Sequence, residues 1–168
     1  MRSTGRDAKA VVWAHNSRIG DARFTDMGES GDELNLGRLA REHCRGEACL
    51  IGFGTHGGTV AAAEDWDGAM KIRRINPSRA DSYERPVHDG GVERFLLDFR
   101  EGVHDELRGR LSDRRPERFI GLIYRPDTER WSYHSFASLP TRFDAYVWFD
   151  MTTAVKPSPA IERTRRLL

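Results

Sequence analysis

Short apolar runs separated by polar, glycine-rich stretches recur along the chain. The clearest runs lie at residues 10–14, 48–53, 95–99, 119–124 and 146–149. Each has the length and the β-branched or aromatic content of a buried strand. Between the first two runs, Leu36, Leu39 and Ala40 recur at helical spacing behind Asn35, a residue type that caps helices. Strand, helix and strand in succession predict a βαβ unit, and with it an α/β fold whose sheet is mostly parallel or mixed and flanked by helices.

The stretches between the runs predict the remaining elements. We expect a loop lining a site over residues 20–35, a turn at 64–68, irregular backbone or a short helix within 70–86, a helix over 103–111 and an edge strand over 131–136. The domain organisation that follows is a flexible lead-in over residues 1–9, one α/β domain over 10–157 and a tail over 158–168.

Length, charge and cysteine content exclude several classes of protein. The chain has 168 residues, enough for one domain with a real core, and a formal net charge of +1. Such a charge gives no electrostatic reason to expect nucleic acid or an anionic membrane as partner. No apolar run approaches the ~20 residues needed to span a bilayer. Cys44 and Cys49 lack CxxC spacing and follow no secretory signal, so we expect reduced thiols in a soluble cytoplasmic protein.

The first candidate for chemistry is His15, which follows the apolar run at 10–14 together with Asn16. Ligands of open α/β sheets bind outside the carboxyl ends of the strands, so this position favours a functional imidazole. The alternative is a structural histidine held by hydrogen bonds, beside an asparagine that only forms a turn.

A second polar cluster follows the run at 48–53 and contains Thr55, His56, Gly57 and Gly58. Its glycines allow the backbone to approach a ligand closely, and its side chains supply hydrogen-bond donors. A hairpin turn returning into residues 60–63 is the competing interpretation.

Three acidic residues follow in the turn at 64–68. For Glu64, Asp65 and Asp67 three interpretations are open: they orient an imidazole, they bind a cation, or they only form a solvated turn.

Several of these motifs, in the same order along the chain, resemble the C-terminal half of the erythromycin esterase family. The resemblance rests on residues 11–17 (Val-Val-Trp-Ala-His-Asn-Ser), 26–28, 51–53, 58–60, 65–66, 95–98, 120–126, 143–145 and 149–150. It covers about residues 8 to 157.

The resemblance implies a hydrolase of esters, which in the best-known members opens the lactone of macrolide antibiotics and so gives resistance. It also implies attack by water assisted by histidine and glutamate, without a covalent serine intermediate and without a cofactor. His15 matches the histidine of the family's Trp-Ala-His-Asn motif in the active-site cleft, and Asn16 matches the asparagine beside it.

Two departures from the family pattern affect the expected mechanism. Arg18 stands where members have a second histidine, and an arginine is no base near neutral pH. The family's N-terminal half, which contributes another histidine and a glutamate, has no counterpart before Val11. The expected roles are a base, His15; an orienting acid, Glu64 or Asp65; oxyanion donors, Arg18 or the amides of Gly57 and Gly58; and further substrate contacts, Asn16, Thr55, His56 and Asp65.

Three functional hypotheses stay open at this point. The first is a hydrolase of a small-molecule ester or lactone that is complete only with a separately encoded N-terminal half. The second is a non-catalytic remnant or accessory domain that binds a ligand or partner, or that self-associates through apolar surface. The third is a metal site of His15, His56 and one acid among Glu64, Asp65 and Asp67, although this spacing matches no established metal motif.

Overall fold

The computed structural model describes residues 8–156, in which short helices and strands form three small sheets with helices around them. The strands are β1 (Ile51–Gly54), β2 (Gly57–Ala62), β3 (Lys71–Ile75), β4 (Arg94–Asp98), β5 (Arg115–Arg118), β6 (His134–Ala137), β7 (Ala145–Phe149) and β8 (Met151–Thr152). The α-helices are α1 (Asn16–Ile19), α2 (Asp26–Gly31), α3 (Leu36–Cys44), α4 (Glu84–Asp89), α5 (Asp105–Arg110), α6 (Glu129–Ser132) and α7 (Leu139–Arg142). The predicted mixed α/β fold is confirmed, with three sheets in place of one.

The first sheet has the strand order β1-β7-β4 and carries the hydrophobic core. Its central strand β7 runs parallel to β1 and antiparallel to β4. Tyr146 and Trp148 of β7 are enclosed by a cluster of buried side chains: Leu50, Tyr83, Phe99, Leu139 and Phe143. The strands predicted from the apolar runs at 48–53, 95–99 and 146–149 are confirmed as β1, β4 and β7. The burial predicted for the first of them is wrong, because Ile51 and Phe53 of β1 are 38% and 36% exposed.

The second sheet has the order β3-β2-β8, with β2 antiparallel to β3 and parallel to β8. Gly58 pairs with Thr152 and has a φ of +117°. A Cβ at Gly58 would lie 2.0 Å from the Thr152 carbonyl oxygen, so only glycine lets β8 approach β2. The hairpin interpretation of this stretch is wrong, because β1 and β2 belong to different sheets. The irregular backbone expected within 70–86 is likewise replaced in part by β3.

The third sheet is the antiparallel pair of β5 and β6. β5 has the sequence Arg-Pro-Glu-Arg, and its last three residues are buried. The strand predicted at 119–124 is wrong, since that segment is irregular apart from one bridge between Ile123 and Ala63. Residues 115–118, immediately before this segment, form β5 and pair with β6 instead. The edge strand predicted at 131–136 is partly wrong, because its first residues belong to α6 and β6 begins at His134.

The strand predicted over residues 10–14, immediately before α1, is wrong, and this error affects the candidate site most. Residues 10–14 are not a strand, and Val11, Val12 and Trp13 are 91%, 64% and 83% exposed. The predicted βαβ unit therefore lacks its first strand. His15 is the N-cap of α1 rather than the last residue of a strand.

Helix α3 is confirmed together with its predicted cap. Asn35 Oδ1 accepts the Arg38 N–H at 2.9 Å, while its Nδ2 donates to the carbonyl oxygens of Ser17 and Gly20. Asn35 thus ties α3 to α1. The loop predicted at 20–35 is wrong in part, because that stretch contains a 3₁₀ turn at Ala22–Phe24 and then α2.

Two shorter predictions are confirmed. Residues 64–68 form a turn with Asp67 at positive φ, and α5 lies within the predicted helix at 103–111. Cys44 and Cys49 are exposed and unpaired. The predicted lead-in falls largely, and the predicted tail entirely, outside the described residues. Within residues 8–156, every helix is too short or too polar to cross a membrane.

Candidate functional site

A cleft of about 660 Å³ opens beside α1, between the N-terminal segment, β1, β2 and the segment after β5. Its walls are mostly apolar and include Trp13, Phe53, Val60, Ile75, Ile120 and Leu122. Its polar side chains are His15, Asn16, Glu84, Arg118 and four threonines, Thr55, Thr59, Thr152 and Thr153. A concave apolar site with a few convergent polar groups is the usual form of a small-molecule site.

His15 lies on the rim of the cleft with both ring nitrogens engaged. Nε2 is 2.9 Å from the Ile120 carbonyl oxygen, and Nδ1 is 2.9 Å from the Ser17 hydroxyl oxygen. Because a carbonyl oxygen only accepts, Nε2 carries the proton and Nδ1 is the acceptor in the neutral ring. Desolvation lowers the pKa of His15, with the hydrogen bond to Ile120 opposing it and the charges of Arg142 and Arg18 adding to it. The imidazole is therefore uncharged at neutral pH.

Asn16 attaches the start of α1 to the free edge of β1. Its Nδ2 donates to the Phe53 carbonyl oxygen at 2.7 Å, and its Oδ1 accepts the Phe53 N–H at 3.1 Å. The carboxamide thus makes the two hydrogen bonds that a neighbouring strand would make. This clamp fixes the position of His15 in the absence of the predicted strand.

A buried ion pair lies beneath Asn16. Arg142 Nη1 donates to Glu117 Oε2 at 2.5 Å, and Arg142 Nη2 donates to the Asn16 carbonyl oxygen at 2.8 Å. The Arg142 guanidinium also lies 4.7 Å from the centre of the Phe119 ring, within cation–π range. Burial raises the pKa of Glu117 to about 7, although the Arg142 charge opposes this shift. α1 therefore rests on a buried, hydrogen-bonded pair of ionisable side chains.

A second buried arginine fixes the turn between β1 and β2. Arg118 Nη2 donates to the carbonyl oxygens of Thr55 and His56, at 2.6 and 2.9 Å, and Nη1 donates to Glu129 Oε1 at 3.0 Å. The Arg118 backbone N–H donates to Glu84 Oε1 at 2.9 Å. Glu84 Oε2 is buried and has no hydrogen-bond partner among the described residues.

The structure brings His15, Asn16 and Thr55 together in the cleft and places the other predicted site residues outside its lining. Glu64 pairs with Arg73 at 2.8 Å. Asp65 pairs with Arg125, and Arg18 is exposed, 3.8 Å from Glu33. None of these three side chains hydrogen-bonds to His15 within residues 8–156, so the orienting partners of its ring are Ser17 and Ile120 instead.

Apart from Thr55, the residues of the second polar cluster lie outside the cleft lining. The His56 ring stacks on His88 with centroids 3.4 Å apart, and its Nδ1 lies 2.7 Å from the Ser78 hydroxyl oxygen. The Gly57 N–H donates to the Asp150 carbonyl oxygen, while Gly58 packs against Thr152. Both glycines thus contact neighbouring backbone rather than the cleft.

The metal-site alternative is not supported by this geometry. In the part of the chain that the structure describes, no three His, Cys, Asp or Glu side chains come together as a metal site. His15 and His56 instead have separate sets of partners.

The buried ionic residues are the part of the site that sequence reasoning missed. They are Glu84, Glu117, Arg118, Glu129 and Arg142. Charged residues normally indicate exposed surface, so no hydrophobic pattern marks them. Their ion pairs join residues distant in the sequence, and one sequence could not reveal them.

Comparison with known proteins identifies the family. The erythromycin esterase family profile matches residues 1–152, and the chain belongs to this family. Among solved structures, it is similar to a succinoglycan biosynthesis protein, with a TM-score of 0.62 and 22% identity over 84% of this chain and 32% of that one. It is also similar to a protein from Bacillus cereus, with a TM-score of 0.64 and 20% identity over 84% of this chain and 33% of that one. The chain thus spans about a third of the length of these relatives.

Proposed function

We propose that the cleft is the histidine-bearing part of an ester hydrolase site and that its substrate is a small-molecule ester or lactone, such as a macrolide. The observation that carries the proposal is the imidazole of His15, held at the rim of an apolar cleft by Ile120 and by the Asn16 clamp. Membership of the erythromycin esterase family supports a hydrolase.

The geometry around His15 is suited to activation of water. A water molecule that takes the place of the Ser17 hydroxyl at Nδ1 gives up a proton to that nitrogen while its oxygen attacks the ester carbonyl carbon. The hydrogen bond from Nε2 to the Ile120 carbonyl stabilises the imidazolium that forms. Collapse of the tetrahedral intermediate breaks the bond to the leaving alkoxide, which takes the proton from His15, and the products are an acid and an alcohol.

This mechanism also needs donors for the oxyanion, which we propose come from the rest of the family fold. The predicted donors Arg18, Gly57 and Gly58 lie outside the cleft lining, whereas the solved relatives have about three times the length that this chain matches. Trp13, Leu122 and Val155 border the cleft and are at least 71% exposed. Such an apolar rim is suited to packing against the remaining part of the fold, in the same polypeptide or in a separate one.

The test replaces His15 by Ala, with His43→Ala as the control because His43 is exposed on α3. We expect His15→Ala to lower kcat/KM for p-nitrophenyl butyrate and for a macrolide by about 100-fold or more, and His43→Ala to leave it unchanged. The assay is run on the full chain alone and with the remaining part of a family member added. We call the chain together with that added part the completed protein. The proposal is contradicted if His15→Ala and His43→Ala lower kcat/KM equally, or if the completed protein does not hydrolyse these esters.

A second variant separates attack by water from attack by Ser17. If water is the nucleophile, Ser17→Ala retains hydrolysis, because it frees Nδ1 for the water. Loss of activity together with loss of an initial burst of p-nitrophenol would instead identify Ser17 as the nucleophile.

A binding role without catalysis is the second candidate function. It is favoured by the engagement of both His15 ring nitrogens and by the absence of Arg18 and the acids Glu64 and Asp65 from the cleft lining. Binding of an ester substrate with no turnover by the completed protein is the outcome that this candidate predicts. Either role is consistent with the cytoplasmic location that we propose from the two exposed, unpaired cysteines.

A further inference from the structure

Glu84 is a buried carboxyl group whose hydrogen bonds are only half satisfied. The residue forms part of the cleft wall and is 2% exposed. Its Oε1 accepts the Arg118 N–H at 2.9 Å, but Oε2 has no partner within residues 8–156. A buried acceptor left unsatisfied costs about 1–3 kcal/mol, which a bound donor would recover.

The charges around Glu84 do not balance. Of the buried carboxyl groups, Glu129 is paired with Arg118 and Glu117 with Arg142. Glu84 has no corresponding cation among the described residues, and its charge is one of the causes that raise the pKa of Glu117.

Neighbouring imidazoles do not supply the missing charge. His15 lies in the same cleft. His134 of β6 lies opposite Arg118 of β5 in the register of the antiparallel pair. Desolvation lowers the pKa of both, so both are neutral at pH 7.

We propose that the cleft takes a ligand with an apolar body and a protonated amine, and that Glu84 Oε2 accepts a hydrogen bond from the ammonium group. This assignment rests on the proposed function insofar as the ligand is the substrate of the same cleft. The proposed contact requires Oε2 to turn toward the cleft that Glu84 lines, and the soft terminal torsion of a Glu side chain permits such a rotation. The part of the wall formed by Trp13 and Phe53, whose tilted rings have centroids 5.4 Å apart, accommodates the apolar body.

The amine is favoured over a neutral donor by the local environment. Oε2 is buried, and a ligand that fills the cleft keeps water away from it, so an ionic contact there is weakly screened and stronger than on the surface. The ammonium charge also compensates the carboxyl group that lacks a cation. A hydroxyl group would satisfy the acceptor but leave the charge unbalanced.

The experiment compares two probes that differ only in this group, 4-phenylbutylammonium and 4-phenylbutan-1-ol. Both are titrated into the full chain, and binding is followed through backbone amide NMR signals of residues 53–55 and 120–122. We expect the amine to bind at least about tenfold more tightly than the alcohol. Glu84→Gln should remove this preference and leave the alcohol affinity within about twofold. Glu106→Gln, which changes an exposed acid on α5, should keep the preference.

Equal affinity of the wild type for the two probes overturns the proposal, as does a preference that survives in Glu84→Gln. Should Glu84→Gln fail to fold, the wild-type comparison alone decides. Neither probe contains an ester, so binding is independent of hydrolysis. If the wild type prefers the amine but the completed protein hydrolyses no ester, the amine site is supported and the proposed hydrolase function is contradicted. If the completed protein hydrolyses the ester but shows no preference for the amine, the hydrolase function is supported and the amine site is contradicted.

Discussion

Glu117 Oε2 and Arg142 Nη1 lie 2.5 Å apart, and neither side chain has more than 1% of its surface exposed to solvent. The two residues belong to β5 and α7, and Arg142 also donates to the backbone of Asn16. The pair therefore links the third sheet to the helix that carries the candidate base. Ionic groups inside a protein are costly when one partner is removed, so this link should be visible in stability.

Replacing Arg142 by Met should destabilise the protein by about 3–5 kcal/mol, because it leaves Glu117 buried without its partner. The control is Arg110→Met, which removes the surface pair with Glu106 and should change stability little, since both side chains are at least 75% exposed. Urea unfolding followed by circular dichroism measures both. A similar small effect for both variants would show that the buried pair does not anchor α1.

Glu117 should also make stability depend on pH. Its pKa of about 7 lies above the ordinary value of 4.5, so the folded state holds the proton more tightly than the unfolded state. The stability it contributes is complete below about pH 4.5 and is lost as the pH rises to about 7, an amplitude of about 3 kcal/mol. The measurement is urea unfolding of wild type and Glu117→Gln at pH 5, 6, 7 and 8.

The difference between those two proteins isolates Glu117 from His15, His56 and His134, whose lowered pKa values act in the opposite direction. The stability of wild type relative to Glu117→Gln should fall from pH 5 to pH 7 and then level. A difference that is constant across this range would contradict a raised pKa.

Gly58→Ala should destabilise the protein by about 2 kcal/mol or more, because its φ of +117° is strained for alanine and its Cβ meets the Thr152 carbonyl. Gly109→Ala is the matched control. Gly109 lies in α5 with nothing within 4 Å of an added Cβ, so the substitution should stabilise by about 0.5–1 kcal/mol. Thermal unfolding of both variants gives the comparison, and a harmless Gly58→Ala would exclude the close approach of β8.

Some of the candidate site could be read from the sequence because it depends on local pattern. The prediction placed His15 and Asn16 at the end of a first strand, which is absent, but the structure still places both in the cleft with Thr55. The roles of these residues stay predictions. The partners of His15 could not be foreseen, because Ile120 is 105 positions away along the chain.

By itself, the sequence determined the elements whose stability is local or whose burial is apolar. Helix α3 begins directly after its cap, Asn35, and β1, β4 and β7 have the apolar composition of core strands. Only the tertiary structure decided that residues 10–13 stay exposed and that Glu117 and Arg118 of β5 are buried. Hydrophobicity is a property of each residue, whereas burial of a charge depends on a partner brought near by the fold. The buried ion pairs beneath the cleft could therefore not be predicted from the sequence alone.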